Sequence, residues 1–258
     1  MFMAFFRTCV FYCLALLFSF VWCLLLGPVA YLMPFPLRYH MVIGVWSVVI
    51  HFLSGTVLGI KVKVHGRENI PQQACVIVAN HQSAWETFYL QHLFSPQSQV
   101  AKASLLKIPV FGWVYATCRP IAIDRRKRRR AMQQIIEKGR KRILNGSSVL
   151  IFPEGTRSAP GNPLPFKKGA AALAKAANCK MVPVTHNSGL FWRNDRFVKK
   201  PGTVEVFIHP PIETANRSAE ELMVEAENII LTQLAEITEP AQINVGLGSS
   251  GVSRNDKH

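Results

Sequence analysis

Residues 74–86 read ACVIVANHQSAWE, from Ala74 to Glu86. The run Ala74–Ala79 is continuously apolar and rich in β-branched residues, and it is too short for a helix that would need to bury it. It reads as a buried strand. Asn80, His81 and Gln82 make a polar turn, and the pattern then predicts a helix from about Ser83 to Phe94. A buried strand that feeds a turn and then a helix is the repeating unit of an α/β sheet.

The same alternation continues on both sides of this segment. Lys61–His65 (KVKVH) alternates as a strand, and Gln99–Ala101, Pro120–Ile123, Ser148–Phe152 (SVLIF), Met181–Val184 and Thr203–Ile208 (TVEVFI) are further strands. Lys127–Leu144 is predicted helical because Met132, Ile135, Ile136, Ile143 and Leu144 recur on one face. Lys168–Ala177 and Ser218–Glu236 are two more helices. The fold class is therefore α/β, a mixed and mostly parallel central sheet covered by helices. Three regions follow: 1–60 as an apolar helical segment, 61–239 as the α/β domain, and 240–258 as a Gly-, Ser- and Asn-rich tail expected to be disordered.

The N-terminal segment calls for a different solvent. No Lys, Arg, Asp or Glu occurs from Thr8 to Leu37, which exceeds the ~20 residues that a helix needs to cross a bilayer core. The run also outlasts the roughly 7–15-residue core of a cleavable signal peptide, so a retained anchor is expected. Pro34 and Pro36 break it, and a second, weaker apolar stretch runs from Met41 to Ile60. That stretch fits a second spanning helix, a re-entrant helix or one lying in the interface. The two stretches make a helical hairpin in the membrane. The basic excess after Lys61 puts the following domain on the cytoplasmic face by the positive-inside tendency, and a bacterial inner membrane is the expected location.

The chain has 258 residues, 30 Lys and Arg against 15 Asp and Glu, and a formal charge of +15. Such a field attracts anionic partners: acidic lipid headgroups, phosphorylated substrates or nucleic acid. A nucleic-acid-binding membrane protein is the rival this charge suggests, and the sequence offers it no recognition motif. Six cysteines are present without a CxxC pair, so neither a metal site nor a disulfide framework is spelled out.

Three strand ends carry groups able to do chemistry. His81 and Glu86 lie five apart, about 140° around a regular helix, so they meet only if His81 sits in the turn ahead of the helix. A carboxylate on one imidazole nitrogen then fixes the tautomer and supports the other nitrogen as a base. Ser83 and Glu86 also have the spacing of a capping box, a local role that competes for the same carboxylate. The second site is Phe152–Ser158 (FPEGTRS), a tight turn that presents Glu154, Thr156 and Arg157 after a buried strand. Arg157 suits a phosphate because its planar fork binds two oxygens at once. The third is Ile123-Asp124-Arg125, which opens a basic run continuing along the Lys127–Leu144 helix. A basic amphipathic helix of that kind is read as a membrane-surface element.

Together these blocks resemble the glycerolipid acyltransferase family, and in particular its 1-acylglycerol-3-phosphate acyltransferases. The His-x4-Asp motif aligns with His81 and Glu86, the Ile/Asp/Arg stretch with Ile123-Asp124-Arg125, the Phe-Pro-Glu-Gly-Thr-Arg-Ser block with Phe152–Ser158, and a short apolar run around a Pro with Val182-Pro183-Val184. Lys102 and the following Leu105–Pro109 resemble the segment between the first two motifs. The resemblance covers roughly Lys61 to Ile212. It departs from the family at Glu86, where the usual residue is Asp. The longer side chain must fold back to reach His81.

The resemblance implies the glycerolipid acyltransferase fold and direct acyl transfer without an acyl-enzyme. His81 is then the general base and Glu86 its orienting carboxylate. Lys102, Arg125 and Arg157 are expected at the acceptor phosphate, with Glu154, Gly155 and Thr156 at the phosphate or glycerol. Ser83 as a covalent nucleophile is the minor alternative. The implied acceptor is lysophosphatidic acid or a related lysolipid, with lyso-ornithine lipid, another lysophospholipid or glycerol-3-phosphate as rivals. The donor is acyl-CoA or acyl carrier protein, a thioester co-substrate. No metal, bound cofactor or nucleic acid is expected.

Overall fold

The alternating and apolar segments become seven strands: β1 (Ile60–His65), β2 (Val76–Ala79), β3 (Gln97–Lys102), β4 (Ile121–Ile123), β5 (Ser148–Ile151), β6 (Met181–His186) and β7 (Gly202–Ile208). The computed structural model describes residues 1–124 and 126–246, and among these all side chains except those of 128 and 239–246. Arg125 and residues 247–258 thus lie outside the described residues.

The strands form one sheet in the order β1-β7-β6-β2-β5-β3-β4. β2 pairs in parallel with both β5 and β6, β3 pairs in parallel with β4 and β5, and β1 pairs in parallel with β7. The antiparallel β6–β7 pair joins the two groups. All four residues of β2 are buried, as a strand covered on both faces requires. Because β2, β5 and β6 run the same way, the residues after their C-terminal ends emerge together. Those residues include His81, the Phe152 turn and Ser188.

Side-chain alternation along the central strands separates two cores. Val76, Val78, Val149 and Ile151 face one way, into a cluster with α6 (Arg128–Leu144), α7 (Gly169–Ala177) and α8 (Ala219–Gly246). Ile77, Ala79 and Leu150 face the other way, toward α4 (Trp85–Leu93) and the N-terminal helices. These are α1 (Phe2–Ala30), α2 (Phe35–Tyr39) and α3 (Trp46–Thr56), with a π-helical turn over His40–Val45 between the last two.

Helix α1 is apolar all round, and one stripe of it faces protein. Thr8, Phe11, Ala15, Cys23, Leu26 and Ala30 are buried and recur at helical spacing. Leu16, Leu17, Phe20, Leu24 and Leu25 on its other sides are exposed. The spans Phe2–Ala30 and Phe35–Thr56, of 29 and 22 residues, are long and apolar enough to cross a membrane, which suggests membrane association. They are also tied to each other and to the rest of the chain. Arg7 Nε donates to Val57 O (2.6 Å), the Lys199 N–H donates to Thr8 Oγ1 (3.0 Å), and Trp46 Nε1 donates to Ser19 Oγ (2.8 Å).

Several expectations are adjusted. The break between the apolar stretches falls at Tyr31–Pro34, with Pro34 capping α2, while Pro28 is accommodated inside α1. The short strand read at Gln99–Ala101 extends over Gln97–Lys102. The segment after it holds a 3-10 turn (Ala103–Lys107) and a helix, α5 (Phe111–Thr117), that the pattern did not show. Residues 240–246, expected in a tail, continue α8 through Gly246. The basic helix α6, read as a membrane-surface element, packs on the sheet face opposite the one covered by α1 and α3. Its C-terminal end is linked toward the hairpin turn through Arg119: Arg142 Nε donates to Arg119 O (3.1 Å), and the Arg119 guanidinium sits 4.6 Å from the Phe35 ring centre.

Candidate active site

The turn between β2 and α4 holds His81, and the first turn of α4 holds Glu86. His81 Nδ1 lies 2.8 Å from Glu86 Oε1. Helical geometry alone would keep these residues apart; they meet because His81 precedes the helix and folds back over it. The same oxygen accepts the Gln82 N–H (3.0 Å) and the Ser83 N–H (2.8 Å). Glu86 Oε2 accepts the Ser188 hydroxyl (2.9 Å) and, in a short contact, the Ser83 hydroxyl. The capping role and the His-orienting role of Glu86 therefore do not compete: Oε1 serves both. The Ser83 hydroxyl is committed to Glu86 and also accepts the Trp85 N–H (3.0 Å), which holds the turn.

The FPEGTRS turn after β5 closes over the histidine from the other side. The Phe152 ring stacks on the imidazole at 4.1 Å between centres and 15° between planes. Glu154 Oε1 accepts the His81 N–H (2.7 Å), and the Ser158 N–H donates to His81 O (2.7 Å). The backbone of His81 is thus bonded on both its donor and its acceptor. Gly155 has φ +75°, a left-handed conformation suited to glycine, and Lys167 lies over it and donates Nζ to Glu154 O (2.9 Å).

A cavity of about 470 Å³ opens in front of His81. Its polar wall includes Lys102, Thr156 and Arg157, and its apolar wall includes Trp22, Val42, Ile43 and Val114. His81 is 5% exposed and Glu86 0%, so the pair sits at the buried end of this space. Thr156, Arg157 and Lys102 are exposed at its rim, with Arg157 Nη1 donating to Asn194 Oδ1.

The electrostatics follow from burial and donors. Burial alone would raise the Glu86 carboxyl, but the donors from His81 and Ser83 outweigh it and hold the carboxyl below its usual range. It stays an anion under the imidazole. Glu154 goes the other way: burial pushes it up despite the His81 N–H. The Ser158 hydroxyl turns to His81 O (3.2 Å), and Glu154 Oε2 is left buried without a hydrogen-bond partner among the described residues. His186 is fully buried, which lowers its basicity and keeps it neutral.

The structure therefore brings His81, Lys102, Thr156 and Arg157 to one cavity, with Glu86 directly behind the histidine. Glu154 and Gly155, expected at the phosphate or glycerol, do not line it. Glu154 is 2% exposed and turns inward because the His81 amide, cut off from water, needs an acceptor. Arg125 lies outside the described residues. Sequence reasoning missed Ser188, His186 and the stacked Phe152. His186 ends β6 and Ser188 opens the turn just after it, both over 100 residues from His81 in the chain, and no local spacing could reveal them.

The sequence model of the Acyltransferase family matches residues 61–187. This span runs from β1 through the end of β6 and includes both blocks around His81. The class is thus an acyltransferase of the α/β kind. The chain is 41% identical over 235 residues to a Pseudomonas aeruginosa protein named 1-acyl-sn-glycerol-3-phosphate acyltransferase, covering 90% of this chain and 91% of that one. It is 36% identical over 177 residues to the Saccharomyces cerevisiae protein of the same name, covering 67% of this chain and 58% of that one. The crystal structure of PlsC from Thermotoga maritima, described as a 1-acyl-sn-glycerophosphate (LPA) acyltransferase, superposes with a TM-score of 0.75 at 27% identity, covering 90% of this chain and 96% of that one. The chain belongs to the 1-acyl-sn-glycerol-3-phosphate acyltransferase family.

Proposed function

We propose that this enzyme moves a fatty acyl group from acyl-CoA or acyl carrier protein to the sn-2 hydroxyl of 1-acyl-glycerol-3-phosphate, giving phosphatidic acid for phospholipid synthesis. The observation that carries this reading is the His81–Glu86 pair at 2.8 Å, opening on the same cavity as Thr156 and Arg157.

Glu86 holds Nδ1, so Nε2 is the nitrogen left for substrate. The acceptor hydroxyl gives its proton to Nε2 as its oxygen attacks the thioester carbonyl. The tetrahedral intermediate then expels the thiolate, and the imidazolium returns the proton to it. General-base help of this kind is worth about 10²–10⁴-fold. Arg157 and Lys102 bind the acceptor phosphate at the cavity rim, with Arg125 as a third cation. Thr156 orients the glycerol. Glu154 acts one step back, holding the His81 backbone, and Gly155 lets the chain turn there. The apolar wall takes the acyl chain. The exposed apolar sides of α1 and α3 sit in a bilayer, where lysolipid and product both reside. The catalytic domain faces the cytoplasm, and in a bacterium the bilayer is the inner membrane.

The test is acyl transfer by the purified protein in detergent, offering lysophosphatidic acid beside lyso-ornithine lipid, lysophosphatidylcholine and glycerol-3-phosphate, each with CoA and carrier-protein donors. Lysophosphatidic acid is expected to have the highest kcat/KM by at least about tenfold. Equal use of a lysolipid without a phosphomonoester would remove Arg157 and Lys102 from the assigned role.

A further inference from the structure

We infer that Ser188 is a positioning residue for this reaction, acting through Glu86 on His81, and that it is what lets a glutamate work where the family resemblance implies an aspartate. The inference rests on His81 as the base.

A glutamate has one more rotatable bond than an aspartate. Its carboxylate can swing unless both oxygens are held. Here they are. Oε1 is fixed by the backbone of its own turn, through the Gln82 and Ser83 N–H groups, and carries His81 Nδ1. Oε2 is fixed by two hydroxyls, one from Ser83 in that turn and one from Ser188 in the turn after β6. The two hydroxyl oxygens lie 2.9 Å apart, and each is within reach of the carboxylate oxygen, which can only accept. Ser188 and Glu86 are both 0% exposed, so water does not substitute for either bond.

Ser188 is itself held in register. β6 pairs with β2 from Val76↔Met181 to Ala79↔Val184. Beyond that ladder the chains stay latched by side chains. Asn80 Nδ2 donates to His186 O (2.9 Å), Asn80 Oδ1 accepts the His186 N–H (3.0 Å), and His186 Nε2 meets Asn80 O (2.8 Å). A carbonyl opposite Nε2 makes that nitrogen the N–H donor. Nδ1 is then an acceptor, and it receives the Ser188 N–H at 3.4 Å. Neutral His186 thus has both ring nitrogens satisfied and sets the start of the turn that carries Ser188. An aspartate at position 86 would draw the carboxylate back by about 1.5 Å, too far to keep both His81 and Ser188.

The test is a double-mutant cycle on acyl transfer, assayed well below the thermal midpoint of each variant. Ser188→Ala in the wild-type background is expected to lower kcat about tenfold, with KM for both substrates within about twofold. In the Glu86→Asp background the same substitution should change kcat by less than about twofold, because the bond it removes is already absent. An unaltered rate in Ser188→Ala, or an equal loss in both backgrounds, overturns the inference. If Glu86→Asp has no measurable rate, the acid limb of kcat/KM decides. The charged and titratable groups around this point are His81, Glu86, His186 and Glu154, with Arg157 and Lys102 on the wall of the cavity in front of His81. A carboxylate relieved of one donor holds the imidazolium more strongly, so the limb should move to higher pH in Ser188→Ala. A rate loss with an unmoved limb counts against the inference. His81→Ala at wild-type activity would end the base assignment as well, whereas failure of the Ser188 test alone leaves it standing.

Discussion

At the residue scale, the site is a set of buried polar groups that each have one partner geometry. Glu86 accepts five donors, from His81, the Gln82 and Ser83 amides, and the Ser83 and Ser188 hydroxyls, which is why it remains ionised at zero exposure. His186 shows the opposite solution: burial depresses its basicity, and neutral bonding satisfies it. That has a consequence for stability. Unfolded, its imidazole takes up a proton near pH 6.5; folded, it does so only at lower pH. The stabilisation is present above about pH 6.5 and is lost as pH falls through the folded value, at no more than about 1.4 kcal/mol per pH unit for one site. Burial lowers His209 as well, and its contribution has the same sign. Urea unfolding between pH 8 and pH 5 is therefore expected to show a decline that begins near 6.5. In His186→Gln that slope should be shallower. A slope equal to wild type would contradict the buried neutral imidazole.

At the element scale, the turn that carries His81 is made by two strand ends that hold each other. The β2–α4 turn receives Glu154 and Ser158 from the turn after β5, and that turn depends on the left-handed Gly155 under Lys167. A side chain at Gly155 pays about 1–2 kcal/mol of backbone strain and displaces the Lys167 amine. Gly155→Ala should lower the thermal midpoint by about 2–8 °C and lower kcat, measured by scanning calorimetry and acyl transfer; a midpoint and rate equal to wild type would mean the turn tolerates another shape. Much of this was legible in the sequence. ACVIVA and SVLIF read as buried strands because every residue but Ser148 is apolar, and FPEGTRS read as a turn because it carries Pro153 and Gly155. His81 and Glu86 were legible as a pair once the histidine was placed ahead of the helix. Helix α5 was not, since Phe111–Thr117 has only seven residues and takes its place from packing on α1. Ser188 was not either, since its role is set by β6 lying beside β2. The inward turn of Glu154 was hidden because the acceptor it supplies is demanded by a backbone amide, which no side-chain pattern reveals.

At the scale of the whole molecule, the sheet separates two environments. One face carries α4 and then α1 and α3, whose outer sides are apolar and exposed. The other carries α6, α7 and α8, with the basic face of α6 turned from the sheet. Packed layers add about 8–10 Å each, and the screening length is about 8 Å in physiological salt, so a bilayer on α1 feels most of α6 weakly. Leu17→Lys with Leu24→Lys should therefore release the protein from phospholipid vesicles in a flotation assay, while Arg129→Glu with Arg140→Glu should leave vesicle binding within about twofold; the reverse pattern would make α6 the membrane face. The cavity between His81 and the α1–α3 hairpin ties this architecture to the proposed chemistry, because Trp22, Val42 and Ile43 of the hairpin line the same space as the imidazole. The most direct measurement is the rate of phosphatidic acid formation by purified His81→Ala, checked for native folding by circular dichroism. The rate should fall by at least about 10²-fold with folding and vesicle binding intact. A folded His81→Ala protein that still acylates lysophosphatidic acid at the wild-type rate would contradict the account.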